Sequence, residues 1–156
     1  MKKILFTLVI FLIAPVIMAS EPNVKTTTES YQDWQIACVE QGQQARCEMR
    51  QNLLNQNKGL VAVLSMAAKP DGSLLFQIAL PHLLDLKVPV EIVVDEKKAA
   101  DLPYSFCNAT ACFVVVDQPK TLIGAFRAGT VGRIKALSIA NEDVVLGFSL
   151  KGFSCA

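Results

Sequence analysis

The sequence predicts an all-β protein, an antiparallel β-sandwich of about seven to nine short strands with one short helix. Three observations support this prediction. Apolar residues alternate in short segments along most of the chain, turn residues separate these segments at regular intervals, and a single segment has helical spacing. Short connections between strands favour antiparallel pairing, so a two-sheet sandwich is the expected architecture and a closed barrel is the alternative.

The clearest element is a long hairpin in the first half of the chain. Residues 60–68 are apolar on both faces, as in a central strand, and residues 74–80 place the large apolar side chains of Leu74, Phe76, Ile78 and Leu80 on one face. Between them, Pro70 fixes φ and Gly72 accepts a positive φ, which together predict a tight turn.

Further strands are predicted on both sides of this hairpin. A connector bounded by two prolines, residues 81–89, precedes the next strand, and a loop is expected over 96–103. The remaining strands are predicted near 34–38, 46–51, 90–95, 112–117, 133–140 and 144–150.

One segment has the spacing of a helix. Leu122, Ile123 and Phe126 fall on one helical face, and Gly129 is a stop signal. We therefore predict a short helix over about 119–128.

The N-terminus has the pattern of a secretory signal peptide over residues 1–20. Two lysines precede an apolar run at 4–14, and the small residues Ala19 and Ser20 suit a signal peptidase. An uncleaved anchor is the alternative, but the run is shorter than the roughly 20 residues of a spanning helix. We expect cleavage near Ala19 or Ser20 and no stable membrane span afterwards.

The rest of the chain is expected to form one domain. Residues 21–30 are polar without periodicity and predict a flexible leader, and residues 31–156 suffice for a single core. Loss of Lys2 and Lys3 with the signal changes the formal net charge from +1 to −1. A nearly neutral domain gives no electrostatic reason to expect nucleic acid as a partner.

All five cysteines lie beyond the predicted signal, where an oxidising compartment favours disulfides. Hairpin geometry places Cys38 opposite Cys47 and Cys107 opposite Cys112, within bridging distance. A redox pair and a metal site are the alternatives, but neither C-x-x-C nor zinc-type spacing is present. Cys155 is expected to be a buried small residue; a free thiol or an intermolecular disulfide is the alternative.

No catalytic, cofactor-binding or metal-binding residue is predicted. His82 is the only histidine, and its proline-bounded connector gives no defined geometry to Asp85, three residues further on. We expect His82 to be a solvated loop residue. Trp34 shares a strand face with Cys38 and is expected in the core.

The order of several motifs resembles the invasion-associated locus B family of exported bacterial proteins. The resemblance spans about 31–154 and rests on DWQIAC, RCEM, PDGS, ALPHLLDLKVPVEIVVD, PYSFCNATACF, PKTLIGAFRAG and FSLKGF. Ala111, where the family often has glycine, and Cys155 are departures. The resemblance implies an immunoglobulin-like sandwich in the periplasm of a Gram-negative bacterium, or secreted or at its surface, and supplies no catalytic residues.

The function expected from the sequence is therefore that of a non-catalytic, disulfide-stabilised envelope domain. Its partner would be an unidentified protein or another envelope component, and the family name suggests a link to host-cell invasion. A monomer is expected, with Cys155 as the candidate for a disulfide-linked dimer. The alternative is a thiol–disulfide enzyme or redox sensor that uses Cys155 or the Cys107–Cys112 pair.

Overall fold

Two antiparallel sheets form the fold in the computed structural model, which describes residues 24–41 and 44–155. The elements are β1 (Val24–Tyr31), β2 (Trp34–Gln41), β3 (Gln44–Leu54), β4 (Leu60–Ala68), β5 (Leu74–Leu80), β6 (Val90–Val94), β7 (Lys97–Leu102), β8 (Phe106–Cys107), β9 (Cys112–Asp117), α1 (Lys120–Ala128), β10 (Val131–Leu137) and β11 (Asp143–Ser149). The larger sheet has the order β1-β2-β3-β4-β5-β9-β8, and the smaller has the order β11-β10-β6-β7.

The predicted antiparallel sandwich with one short helix is confirmed, and β4 and β5 have the predicted bounds. The described residues form eleven strands, more than the predicted seven to nine. The two-residue β8 is the first arm of the hairpin predicted at Cys107 and Cys112. The additions are β7, in the segment predicted as a loop, and β1, in the segment predicted as a leader. Both lie at sheet edges, where backbone hydrogen bonds to one neighbour suffice and apolar alternation is not needed.

The prediction of a flexible leader over 21–30 is wrong for the part that the structure describes. Residues 24–31 form β1, which pairs with β2 through a two-residue turn in which Gln32 has a φ of 54°. Three consecutive threonines favour extended backbone, and an exposed edge strand needs no apolar face. The predicted signal peptide, residues 1–20, lies outside the described residues.

The larger sheet is a meander through its first five strands. Constant immunoglobulin domains pair sheets of four and three strands, so the likeness to them lies in two packed antiparallel sheets and not in strand order. The chain crosses between the sheets after β5, after β7, and through α1 after β9.

The core lies between the sheets and is closed on one side by α1. The predicted helix is present, begins after Pro119 and ends where the Gly129 N–H donates to the Ala125 carbonyl. Phe126 of this helix is 1% exposed. Its ring centroid lies 5.4–5.6 Å from those of Phe76, Phe148 and Phe153. Four aromatic rings therefore meet at the centre of the core.

One buried polar side chain links the two sheets. The Gln51 amide on β3 donates to the Asp33 and Ser149 carbonyls and accepts from the Ser149 N–H at 2.9 Å. The buried Trp34 indole N–H also donates to the Ser149 carbonyl, and its ring packs edge-on against Phe153. Because an unpaired buried amide is costly, these bonds fix β11 against the β1–β2 turn.

The end of the chain packs against the same turn. Gly152 has a φ of 89°, and a Cβ there would lie 1.9 Å from the Tyr31 carbonyl oxygen. Only glycine permits this approach. Phe153 is buried beyond it, whereas Cys155 is exposed, so the predicted burial of Cys155 is wrong. The backbone therefore runs from the core to the surface between Phe153 and Cys155.

Candidate interaction surface

The structure joins four cysteines in two local disulfides. Cys38 on β2 is opposite Cys47 on β3, and Cys107 on β8 is opposite Cys112 on β9. In each pair the two Cα atoms are 4.0 Å apart. Each bond closes a single hairpin within the larger sheet.

Cys155 is the free cysteine of the described chain. It lies at the end of the segment that packs on Tyr31, and its exposure makes the thiol accessible to reagents. Cys155 therefore does not contribute to the core.

His82 lies on the surface of the 81–89 connector. Its Nε2 is 3.0 Å from the Asn108 carbonyl in the Cys107–Cys112 loop. The Asp85 carboxylate instead accepts from the Lys87 backbone N–H. In residues 24–41 and 44–155, no three histidine, cysteine or acidic side chains are grouped in a way that could hold a metal ion.

Among residues 24–41 and 44–155, Tyr104 is the one partly buried titratable side chain with an unsatisfied polar atom. Its hydroxyl forms no hydrogen bond with any described residue. Burial, with a smaller contribution from Asp85, raises the pKa of this phenol above its ordinary value of 10.0. A raised pKa favours the neutral phenol in the fold, so its contribution to stability is present below about pH 10 and is lost as the pH rises through the folded value.

We expect Tyr104→Phe to raise the free energy of unfolding by about 1 kcal/mol at neutral pH, because a buried hydroxyl without a partner is removed. The loss of stability at alkaline pH should also become less steep. Urea unfolding at pH 7 and above pH 10 measures both effects. Tyr31→Phe is the control for the effect at pH 7, since the Tyr31 hydroxyl bonds to an exposed Glu29 carboxylate. A less stable Tyr104→Phe would contradict the prediction.

The connector over 81–89 is held to the end of the smaller sheet. Leu84 is buried and forms an isolated bridge with Ser138. The Asp85 N–H donates to the Leu137 carbonyl, and the Ile139 N–H donates to the Leu83 carbonyl at 3.0 Å. These bonds fix the backbone from Leu83, which has a φ of 71°, to Asp85.

This backbone exposes a group of large apolar side chains, which we call the connector patch. Leu83 is 71% exposed and Ile139 is 67% exposed. The connector patch also includes the exposed side chains of Leu86, Val88 and Val145. Val88 and Val145 line a surface hollow of about 630 Å³. Isolated exposed apolar residues are common, but a group on one fixed loop and its neighbouring strands is typical of an interaction surface.

Paired charges border the connector patch. Lys135 Nζ lies 2.9 Å from a Glu91 carboxylate oxygen, and Lys98 pairs with both Glu91 and Asp101. The bond to Asp101 raises the pKa of Lys98. The same surface hollow contains these side chains and the two valines. An apolar centre beside a polar rim is the usual arrangement of a protein–protein interface.

Sequence reasoning missed the connector patch because it treated the connector only as a link between strands. The available signal was four apolar residues, Leu83, Leu84, Leu86 and Val88, in a segment bounded by prolines and assigned to no strand. Ile139 was assigned to the end of a strand, but the structure places it in the turn after β10.

The comparison with known families decides the identity of this domain. Residues 34–156 match the family model described as "Invasion associated locus B (IalB) protein". The chain belongs to the IalB family. The resemblance predicted from the sequence motifs is thereby confirmed.

Curated relatives agree with the IalB assignment. The Invasion protein B homolog of Brucella abortus strain 2308 is 31% identical over 145 residues, which cover 88% of this chain and 82% of the relative. Invasion protein B of Bartonella bacilliformis is 24% identical over 144 residues, which cover 89% and 77%. These names denote invasion proteins and name no reaction.

A solved IalB structure has the same fold. The crystal structure of invasion associated protein B from Bartonella henselae superposes with a TM-score of 0.73 at 26% identity. The match covers 83% of this chain and 90% of that chain. In the part of the chain described here, no helix has the length and apolar character needed to cross a bilayer.

Proposed function

We propose that this chain is an exported, non-catalytic domain that binds a protein partner through the connector patch. The observation that supports it is the group of exposed apolar side chains held on a hydrogen-bonded loop beside a charged rim. Such a surface loses unfavourable contact with water when a partner covers it. The names of the Brucella and Bartonella relatives favour a role in invasion of host cells.

Export is the first part of the proposal. The signal-like residues 1–20 and the two disulfides favour an oxidising compartment, the periplasm or beyond. Intact-mass measurement of the chain recovered from the periplasm and the medium tests this part. We expect cleavage near Ala19 or Ser20. A recovered mass that retains Met1 would contradict it.

Binding through the connector patch is tested by site-specific photo-crosslinking in the source bacterium, alone and in contact with host cells. A photoreactive amino acid replaces Ile139 in one strain. In a matched control it replaces Leu60, which is 60% exposed on the opposite sheet. We expect a discrete adduct from position 139 and none from position 60.

A second substitution shows whether that adduct depends on the connector patch. Leu86→Asp places a charge on an exposed position of the patch and should leave the fold stable within about 0.5 kcal/mol. We expect it to reduce the adduct from position 139 and the invasion of host cells together. Equal adducts from both positions, or an adduct unchanged by Leu86→Asp, would refute the proposed surface.

The exposed thiol of Cys155 favours thiol chemistry as a second candidate function. Thiol titration before and after a mild reductant distinguishes the two. One reactive thiol, unchanged by the reductant, agrees with the binding domain. Release of the Cys107 and Cys112 thiols under mild conditions, with loss of function in Cys155→Ser, would favour the redox role.

A further inference from the structure

The first strand leaves one edge of the larger sheet open. In the described chain, β1 pairs with β2 on one side and with no strand on the other. Val24 to Ser30 are all exposed. The strand contains no proline and no bulge, two of the features that protect an edge from pairing, and its charged residues Lys25 and Glu29 are of opposite sign.

The pairing pattern shows which backbone groups point outward from this edge. Cys38 and Cys47 have Cα atoms 4.0 Å apart, the short spacing of a non-hydrogen-bonded antiparallel pair. The backbone groups of Cys38 therefore point to its other neighbour, Thr27. Thr27 consequently bonds to β2, and alternation leaves the outward N–H and C=O groups on Val24, Thr26, Thr28 and Ser30.

We propose that β1 pairs antiparallel with β1 of a second copy of this chain, about a two-fold axis at Thr27. In this register, Thr26 of each copy is opposite Thr28 of the other, so the outward backbone groups meet. Lys25 of each copy is opposite Glu29 of the other, which gives two pairs of opposite charges. Opposite charges and threonine pairs across strands each stabilise antiparallel pairing.

Other two-fold registers are less favourable. An axis at Lys25 places two ammonium groups opposite each other, and an axis at Glu29 does the same for two carboxylates. An axis at Thr26 or Thr28 creates no direct Lys–Glu pair. The axis at Thr27 alone pairs all residues from Val24 to Ser30 without opposing like charges.

This dimer differs from the monomer expected from sequence and from a disulfide dimer through Cys155. The segment that ends in Cys155 packs on Tyr31, four residues from the proposed axis. The two Tyr31 residues would lie at opposite ends of the joined strands, roughly 27 Å apart, so the axis does not bring the two thiols together. The strand also precedes residue 34, where the family match begins.

Sedimentation equilibrium of the processed chain tests the proposal, with Cys155→Ser in every sample to exclude an intermolecular disulfide. We expect a dimer. Lys25→Glu and Glu29→Lys should each weaken dimerisation by roughly tenfold or more, because two like-charged pairs replace two opposite ones. A mixture of the two variants should recover the dimer, since each mixed pair joins opposite charges.

Two controls separate pairing from folding. Lys25 has an exposed partner in Glu40 at 3.9 Å, whose loss costs little, and circular dichroism checks that each variant is folded. Thr28→Pro removes an outward N–H without a bond to β2, so it should abolish the dimer and keep the fold. A monomeric Cys155→Ser chain, a dimer unaffected by both charge reversals and Thr28→Pro, or a mixture that stays monomeric would overturn the proposal.

Discussion

Replacing Phe126 by alanine is expected to lower the free energy of unfolding by about 3–5 kcal/mol. The ring is almost fully buried and forms edge-on contacts with Phe76, Phe148 and Phe153. Truncation removes apolar burial and leaves a cavity between the helix and both sheets. Because the neighbouring rings belong to β5, β11 and the C-terminal segment, the cavity cannot close by moving a single element.

Chemical denaturation with a tryptophan signal measures this effect, since Trp34 packs against one of the same rings. Arg127→Ala is the matched control on the same helix, because Arg127 is exposed and its loss should change stability by less than about 0.5 kcal/mol. A Phe126→Ala loss no larger than that of the control would contradict the described core.

The second large effect is expected from removal of the Cys107–Cys112 disulfide. Replacement of both residues by alanine should cost about 2–5 kcal/mol, the usual range for a native disulfide in a small secreted domain. The bond closes a short loop and joins the two-residue β8 to β9. Cys112 is also buried, at 4% exposure, so its removal costs packing.

Thermal unfolding of the double variant beside Cys155→Ser measures this difference. Cys155 is exposed and closes no loop, so its replacement should cost less. Photo-crosslinking from position 139 should persist at temperatures where the Cys107/Cys112 variant stays folded. If that variant keeps its melting temperature but loses function, the structural role assigned to the Cys107–Cys112 disulfide is contradicted, and the redox function is favoured instead.

The elements that could be predicted from the sequence are those whose apolar side chains follow the pattern of a buried face. Strand β4 was predictable because it is apolar on both faces before a proline–glycine turn, and β5 because its large apolar side chains share one face after that turn. The helix α1 was predictable because Leu122 and Phe126 share a helical face. The two disulfides also follow from hairpin geometry, since register places each cysteine opposite its partner.

The elements that sequence reasoning missed depend on backbone pairing or long-range contacts. The edge strands β1 and β7 lack alternating large apolar residues, so their side chains gave no periodic signal. The bonds that join the connector to Leu137 and Ile139 link residues more than fifty positions apart. The burial of the Gln51 amide likewise depends on its hydrogen bonds to the backbone of Ser149, which lies 98 positions along the chain.

The two disulfides have a consequence for how the chain becomes oxidised. Each joins two cysteines that have no other cysteine between them, at separations of 9 and 5 residues. A chain that enters an oxidising compartment N-terminus first presents Cys38 and Cys47 before Cys107 emerges. An oxidase that links thiols in order of appearance thus produces the native pairs without reshuffling, and Cys155 arrives last, when the other four are already bonded.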